Sequence, residues 1–185
     1  MTKAILAPGN GGGTPQDNWF PYLERELPKL GLSVINQQFP DAELARKEFW
    51  LPFLTELGAD KDTIIIGHSS GAVAAMRYAE EHQILGSVLV GTCYTDLGHE
   101  SEKQSQYYNT PWQWDTIKAN QQWIIQFAST DDPFIPIEEA RHIHQHLDTE
   151  YYEYDDQGHF GHGDQPRVEF PELVEVLQKK VNIQK

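Results

Sequence analysis

The chain has 185 residues and a net charge of −14, from 14 Lys and Arg against 28 Asp and Glu. Nucleic acid and anionic membrane surfaces would both be repelled by that charge, so neither is expected as a partner, and ligands are expected to be neutral or cationic. The single cysteine, Cys93, excludes an intrachain disulfide, no stretch is apolar over the length a membrane span needs, and the N-terminal residues run straight into a strand, so the expectation is a cytoplasmic protein with one domain over residues 1–185.

Strand and helix patterns alternate from end to end. Residues 3–7 form a short apolar strand, and Pro8-Gly9-Asn10-Gly11-Gly12-Gly13 can only be a loop. Residues 19–30 set Trp19, Tyr22, Leu23, Leu27 and Leu30 at helical spacing, with Gly31 as a stop. A strand over 32–39 ends at Pro40, and an amphipathic helix over 42–57 ends before Gly58. The β-branched run at 63–66 reads as a strand, followed by a helix over 70–81 and a strand over 85–91. A polar, aromatic stretch fills 92–114. Beyond it come a strand at 122–128, a helix at 137–147, a strand at 150–154 and a last helix at 168–181. This alternation predicts an α/β fold with a mostly parallel six-stranded sheet and helices on both faces. Ligands in such sheets bind beyond the carboxyl ends of the strands. The loops after Ala7, Ile66, Gly91, Ala128 and Tyr154 should therefore meet on one edge.

Chemistry is concentrated first in Gly67-His68-Ser69-Ser70-Gly71, a Gly-x-Ser-x-Gly motif set between a strand and an alanine-rich helix. That is the context of a nucleophile elbow, whose turn is so tight that its flanking positions must be small. Ser69 is the candidate nucleophile. The backbone N–H of Ser70, at the start of a helix, is free to stabilise negative charge. An ordinary phosphate-binding turn is the competing reading, but the Lys of a P-loop is missing.

A serine hydroxyl needs a base, and the base needs an orienting acid. Ser129-Thr130-Asp131-Asp132-Pro133-Phe134-Ile135-Pro136 follows one predicted strand, and Asp155-Asp156-Gln157-Gly158-His159-Phe160 follows the next. The order Ser69, Asp132, His159 is the Ser…Asp…His order of α/β-hydrolases. Asp131 remains an alternative acid, although Asp132 begins the Asp-Pro-x-x-Pro turn into the next helix. His162 is an alternative base or pocket residue. His68, beside the nucleophile, is expected to point away from the pocket.

These stretches, together with Pro8-Gly9-Asn10-Gly11-Gly12-Gly13, Trp50-Leu51-Pro52-Phe53 and Pro111-Trp112-Gln113-Trp114, closely resemble the retinoblastoma-binding protein nine family of serine hydrolases over nearly the whole chain. The resemblance implies a compact α/β-hydrolase fold with no large lid domain. It also implies esterase-like or peptidase-like hydrolysis of small substrates, and it carries nucleophile, acid and base onto Ser69, Asp132 and His159. Binding of the retinoblastoma protein is associated with a Leu-x-Cys-x-Glu motif. Cys93 sits in Gly91-Thr92-Cys93-Tyr94-Thr95, which does not fit, so that partner is not expected.

An acyl-transfer site needs a second oxyanion donor from the loop after the first strand. Asn10 is the candidate, with Gly11 as the alternative. Tyr94, Trp112 and Trp114, with Tyr107 and Tyr108, are expected to supply an apolar substrate pocket, unless these aromatics serve packing instead. Cys93 reads as a packing residue. His142 and His146 share a helical face at metal-ligand spacing, but no carboxylate-bearing motif completes a site, so neither metal nor other cofactor is expected. The reading is a serine hydrolase acting on a small ester or amide. The alternative is a protein-binding module that keeps the scaffold without turnover.

Overall fold

The computed structural model describes residues 2–161 and 166–183. Six strands form one parallel sheet: β1 (Lys3–Ala7), β2 (Ser33–Ile35), β3 (Thr63–His68), β4 (Gly86–Val90), β5 (Trp123–Ser129) and β6 (Glu150–Tyr154), in the order β2-β1-β3-β4-β5-β6. The helices are α1 (Phe20–Glu26), α2 (Lys47–Glu56), α3 (Ser70–Glu81), α4 (Glu100–Ser105), α5 (Trp114–Ala119), α6 (Ile137–Leu147) and α7 (Pro171–Ile183). Because the sheet is covered on both faces, its inner strands β1, β3, β4 and β5 are largely buried without alternation, and successive side chains feed two separate cores. Ile5, Ala7, Ile65 and Leu89 pack with α2, α3, α5 and α6. Ala4, Leu6, Ile64, Ile66, Val88 and Val90 pack with α1 and α7. β3 is buried over its whole length, which places its carboxyl end at the centre of the sheet edge.

Where the elements depart from expectation, hydrogen bonding explains the difference. β2 stops at Ile35 because the chain beyond it bonds through side chains to the first loop: Asn36 Nδ2 donates to the Pro15 carbonyl and Gln38 Nε2 to the Gly13 carbonyl. The helix expected from residue 42 begins at Lys47, since the carbonyls of Ala42 and Glu43 accept from Gly12 and Gly11 instead. The first helix tightens into a 3-10 turn, Leu27–Leu30, at Pro28. α7 starts only at Pro171, a residue suited to a first helical position. The stretch read as polar and aromatic holds one short helix, α4, and a second, α5, starts at its last residue and runs on to Ala119.

Candidate active site

The centre of the site is the turn between β3 and α3. Ser69 has φ 53° and ψ −118°, a conformation costly for any side-chain-bearing residue and sustained here by its surroundings. Its N–H donates to the Val90 carbonyl at 2.8 Å, and its carbonyl accepts from Ala72 N–H at 2.9 Å. The glycines are required by close approach. A Cβ on Gly67 would lie 2.3 Å from the Ala72 nitrogen, and one on Gly71 would lie 2.1 Å from the Ala7 carbonyl oxygen.

The loops that carry Asp132 and His159 meet beside this turn. His159 Nδ1 lies 2.7 Å from Asp132 Oδ2, with both side chains almost fully buried. The other oxygen, Asp132 Oδ1, accepts from the N–H groups of Phe134 and Ile135. Asp131 faces a different task. Its Oδ1 accepts from Ser129 Oγ at 2.5 Å and from Gly158 N–H at 2.8 Å, and Ser129 Oγ in turn accepts from Gln157 N–H. Asp131 thus ties the His159 loop to the end of β5, while Asp132 faces the His159 ring. His68 is buried and turned towards the base loop, with Nε2 2.8 Å from the His159 carbonyl oxygen. It therefore lines the cavity and supports the His159 backbone, contrary to the expected outward orientation. His162 lies outside the described residues.

A sequence model of the family described as Serine hydrolase matches residues 4–179. The chain belongs to the serine hydrolase family. It is 47% identical over 180 residues to Serine hydrolase RBBP9 of Rattus norvegicus, covering 96% of this chain and 94% of the rat protein. The crystal structure of the ydeN gene product from Bacillus subtilis superposes with a TM-score of 0.86 at 23% identity, covering 98% of this chain and 100% of that one. A carboxylesterase structure from Nitrososphaera gargenis gives 0.74 at 14% identity, covering 98% and 90%. The fold they share is that of the α/β-hydrolases.

In this serine hydrolase a cavity of about 290 Å³ opens over Ser69, Ser70 and His159, with Asn10 and Gly11 in its wall. Gly11 N–H is engaged by the Glu43 carbonyl at 2.9 Å, which removes the alternative oxyanion donor. Among the described residues neither Asn10 N–H nor Ser70 N–H is bonded within the protein. The Asn10 side chain is fixed too, because its Nδ2 donates to Glu102 Oε1 at 2.6 Å. Glu102 and Phe134 line the cavity and were missed in the sequence. The signal for Phe134 was its place inside the acid turn, two residues after Asp132. Glu102 carried none, being one of many acidic residues.

The expected aromatic pocket needs correction. Of the five aromatics, Tyr108 alone lines the cavity; Tyr94, Trp112 and Trp114 do not. Tyr94 stacks on His142 with ring centroids 3.9 Å apart, and Trp114 packs against Trp112 and His146. Arg77 lies 3.6 Å above the Trp112 ring. Tyr107 is fully buried. The rings turn away from the cavity because a buried guanidinium and two imidazoles offer them stacking partners. Burial, and then the charge of neighbouring His146, lowers the His142 pKa and favours the neutral ring that stacks. Among the described residues no group of three or more His, Cys, Asp or Glu stands together to hold a metal ion. Burial pushes the Cys93 thiol up to about 12, against the hydrogen bond with Tyr108, so this cavity-lining sulfur is a poor nucleophile.

Proposed function

We propose that the protein hydrolyses a small ester or amide by acyl transfer, with Ser69 as nucleophile, His159 as general base and Asp132 as the acid that holds the base. The observation that carries this reading is the 2.7 Å contact between His159 Nδ1 and Asp132 Oδ2, beside the cavity into which the Ser69 turn opens. With the Nδ1 proton donated to Asp132, His159 Nε2 carries the lone pair that takes the Ser69 proton. The Ser69 oxygen attacks the carbonyl carbon. The N–H groups of Ser70 and Asn10 stabilise the oxyanion. His159 then passes its proton to the departing alcohol or amine, and water activated by the same ring cleaves the acyl–Ser69 ester and releases the acid.

The cavity size suits a small substrate. Its lining includes Asp17 and Glu102 and, among the described residues, no Lys or Arg, which supports a neutral or cationic substrate. No helix among the described residues is long and apolar enough to cross a membrane. The lone reduced Cys93 supports a cytoplasmic setting, which completes the proposal. The test is Ser69→Ala against a fluorophosphonate probe and a panel of p-nitrophenyl esters and aminoacyl amides. Both labelling and turnover should disappear. Persistent labelling of the variant would remove Ser69 from the mechanism, and a parent enzyme inert to the whole panel would favour a binding role.

A further inference from the structure

Three large apolar residues stand exposed among the described residues: Phe49, Phe134 and Val168. Of these, Phe134 lines the cavity. Its ring centroid lies 5.2 Å from that of His159, in an edge-to-face arrangement at 70°, and 48% of the residue is open to solvent. The main chain beneath the ring is fixed. Phe134 N–H donates to Asp132 Oδ1 at 2.9 Å and Ile135 N–H at 3.1 Å, while Oδ2 of the same carboxylate faces His159. Pro133 and Pro136 bracket the turn and restrict its backbone further. One carboxylate therefore sets the imidazole and the aromatic side chain in a fixed relation.

The proton transfer defines what passes this point. In acyl transfer the imidazolium gives its proton to the departing oxygen or nitrogen, so the departing group must lie against the histidine. A ring held against that histidine and open to the cavity is placed to cover an apolar departing group. We infer that Phe134 selects the leaving group, favouring esters or amides whose departing alcohol or amine carries an aromatic body over those that leave as methanol or ammonia. The inference rests on the acyl-transfer reading above. Because the contact is lost once the leaving group departs, Phe134 acts on acylation and not on the hydrolysis of the acyl-enzyme.

The experiment compares benzyl and methyl butanoate in the parent enzyme, Phe134→Ala and Phe134→Leu, reading kcat/KM. Both esters form the same acyl-enzyme, so their ratio reports the leaving group alone. The benzyl-to-methyl ratio should fall about fivefold in Phe134→Ala, the size expected for loss of one aromatic contact, and less in Phe134→Leu. An unchanged ratio, or equal losses on both esters, would overturn the inference. Fluorophosphonate labelling of each variant reports whether the site is assembled. Ser69→Ala on the same two esters tests the underlying chemistry separately, because turnover that survives in that variant sinks the acyl-transfer reading whatever Phe134 does.

Discussion

The segment between β4 and α5 brings Tyr94 and Trp112 to the sheet edge, with Trp114 at the start of α5, while the turn between β5 and α6 brings a single phenylalanine. The longer segment is fastened at both ends. Glu139 accepts from Tyr94 N–H, Thr95 N–H and Thr95 Oγ1, and Arg77 donates to the carbonyls of Tyr107, Thr110 and Pro111. Trp112 Nε1 closes the loop on the Tyr94 carbonyl. Tyr94, Trp112 and Trp114 are consumed in holding that scaffold, and of the segment's aromatics Tyr108 alone reaches the cavity. The turn is short and fastened from beneath by Asp132, and its one ring packs edge-to-face on His159 and lines the cavity. An aromatic residue near a site thus faces the cavity when the backbone beneath it is already satisfied and the ring it packs on, here His159, itself lines that cavity. The number of aromatics in a segment says little about which of them will do so.

The largest effect expected from this contrast lies in the turn. Asp132→Asn keeps an oxygen able to accept from Phe134 and Ile135, so the turn should survive. Under the proposed mechanism it loses the charge that holds the His159 tautomer and stabilises the imidazolium, and kcat should drop by about 10⁴-fold. The benzyl-to-methyl ratio should nevertheless stay near that of the parent, since Phe134 is still in place. Asp131→Ala should cost only about fivefold, by releasing Gly158 N–H and loosening the base loop. Steady-state rates on the two esters measure both. Similar losses at the two aspartates would mean that the acid had been assigned too narrowly.

The fold was legible because burial imposes it directly. The buried run at 63–66 and the spacing of Ile137 to Leu147 admit little but a central strand and an amphipathic helix, and α3, α6 and β6 match expectation residue for residue. The elbow was legible because close approach leaves only glycine at positions 67 and 71. The orientation of the aromatics was not legible. It depends on Arg77, about 30 residues earlier in the chain, and on His142 and His146 from a later helix, and no local pattern at 92–114 encodes those partners. Likewise the engagement of Gly11 N–H depends on the Glu43 carbonyl, from a loop far along the chain that no local pattern in the first loop encodes.

The scaffold side of the comparison can be broken at Arg77. Its side chain is 2% exposed and pairs with Glu80, itself 8% exposed, at 2.7 Å. Arg77→Leu leaves that carboxylate buried without its partner and three carbonyls without their donor, so stability should fall by about 3 kcal/mol. For a chain of this size that is a drop in Tm of roughly 6–12 °C by calorimetry. Where the variant is folded, the benzyl-to-methyl ratio should remain that of the parent. A lost ratio would show that the long segment also shapes the leaving-group side of the cavity.

Trp114 offers the finest test, because it separates packing from recognition at a single ring. Its centroid lies 5.3 Å from that of Trp112 and 5.0 Å from that of His146, and the residue is half-buried on α5, away from the cavity. Trp114→Leu keeps an apolar side chain of good helix propensity but removes the ring contacts to Trp112 and His146 along with the longer ones to Tyr94 and His142, the two nearest each contributing about 0.5–1.5 kcal/mol. A Tm decrease of roughly 2–12 °C should follow. The selectivity ratio should hold within about twofold, a difference smaller than one aromatic contact would produce. The opposite pattern, an unchanged Tm with an altered ratio, would place the ring against substrate and erase the distinction between the two segments. Under the packing reading the loss appears in the melting curve alone, because Trp114 touches the cavity only through the loop that Arg77 and Glu139 already hold.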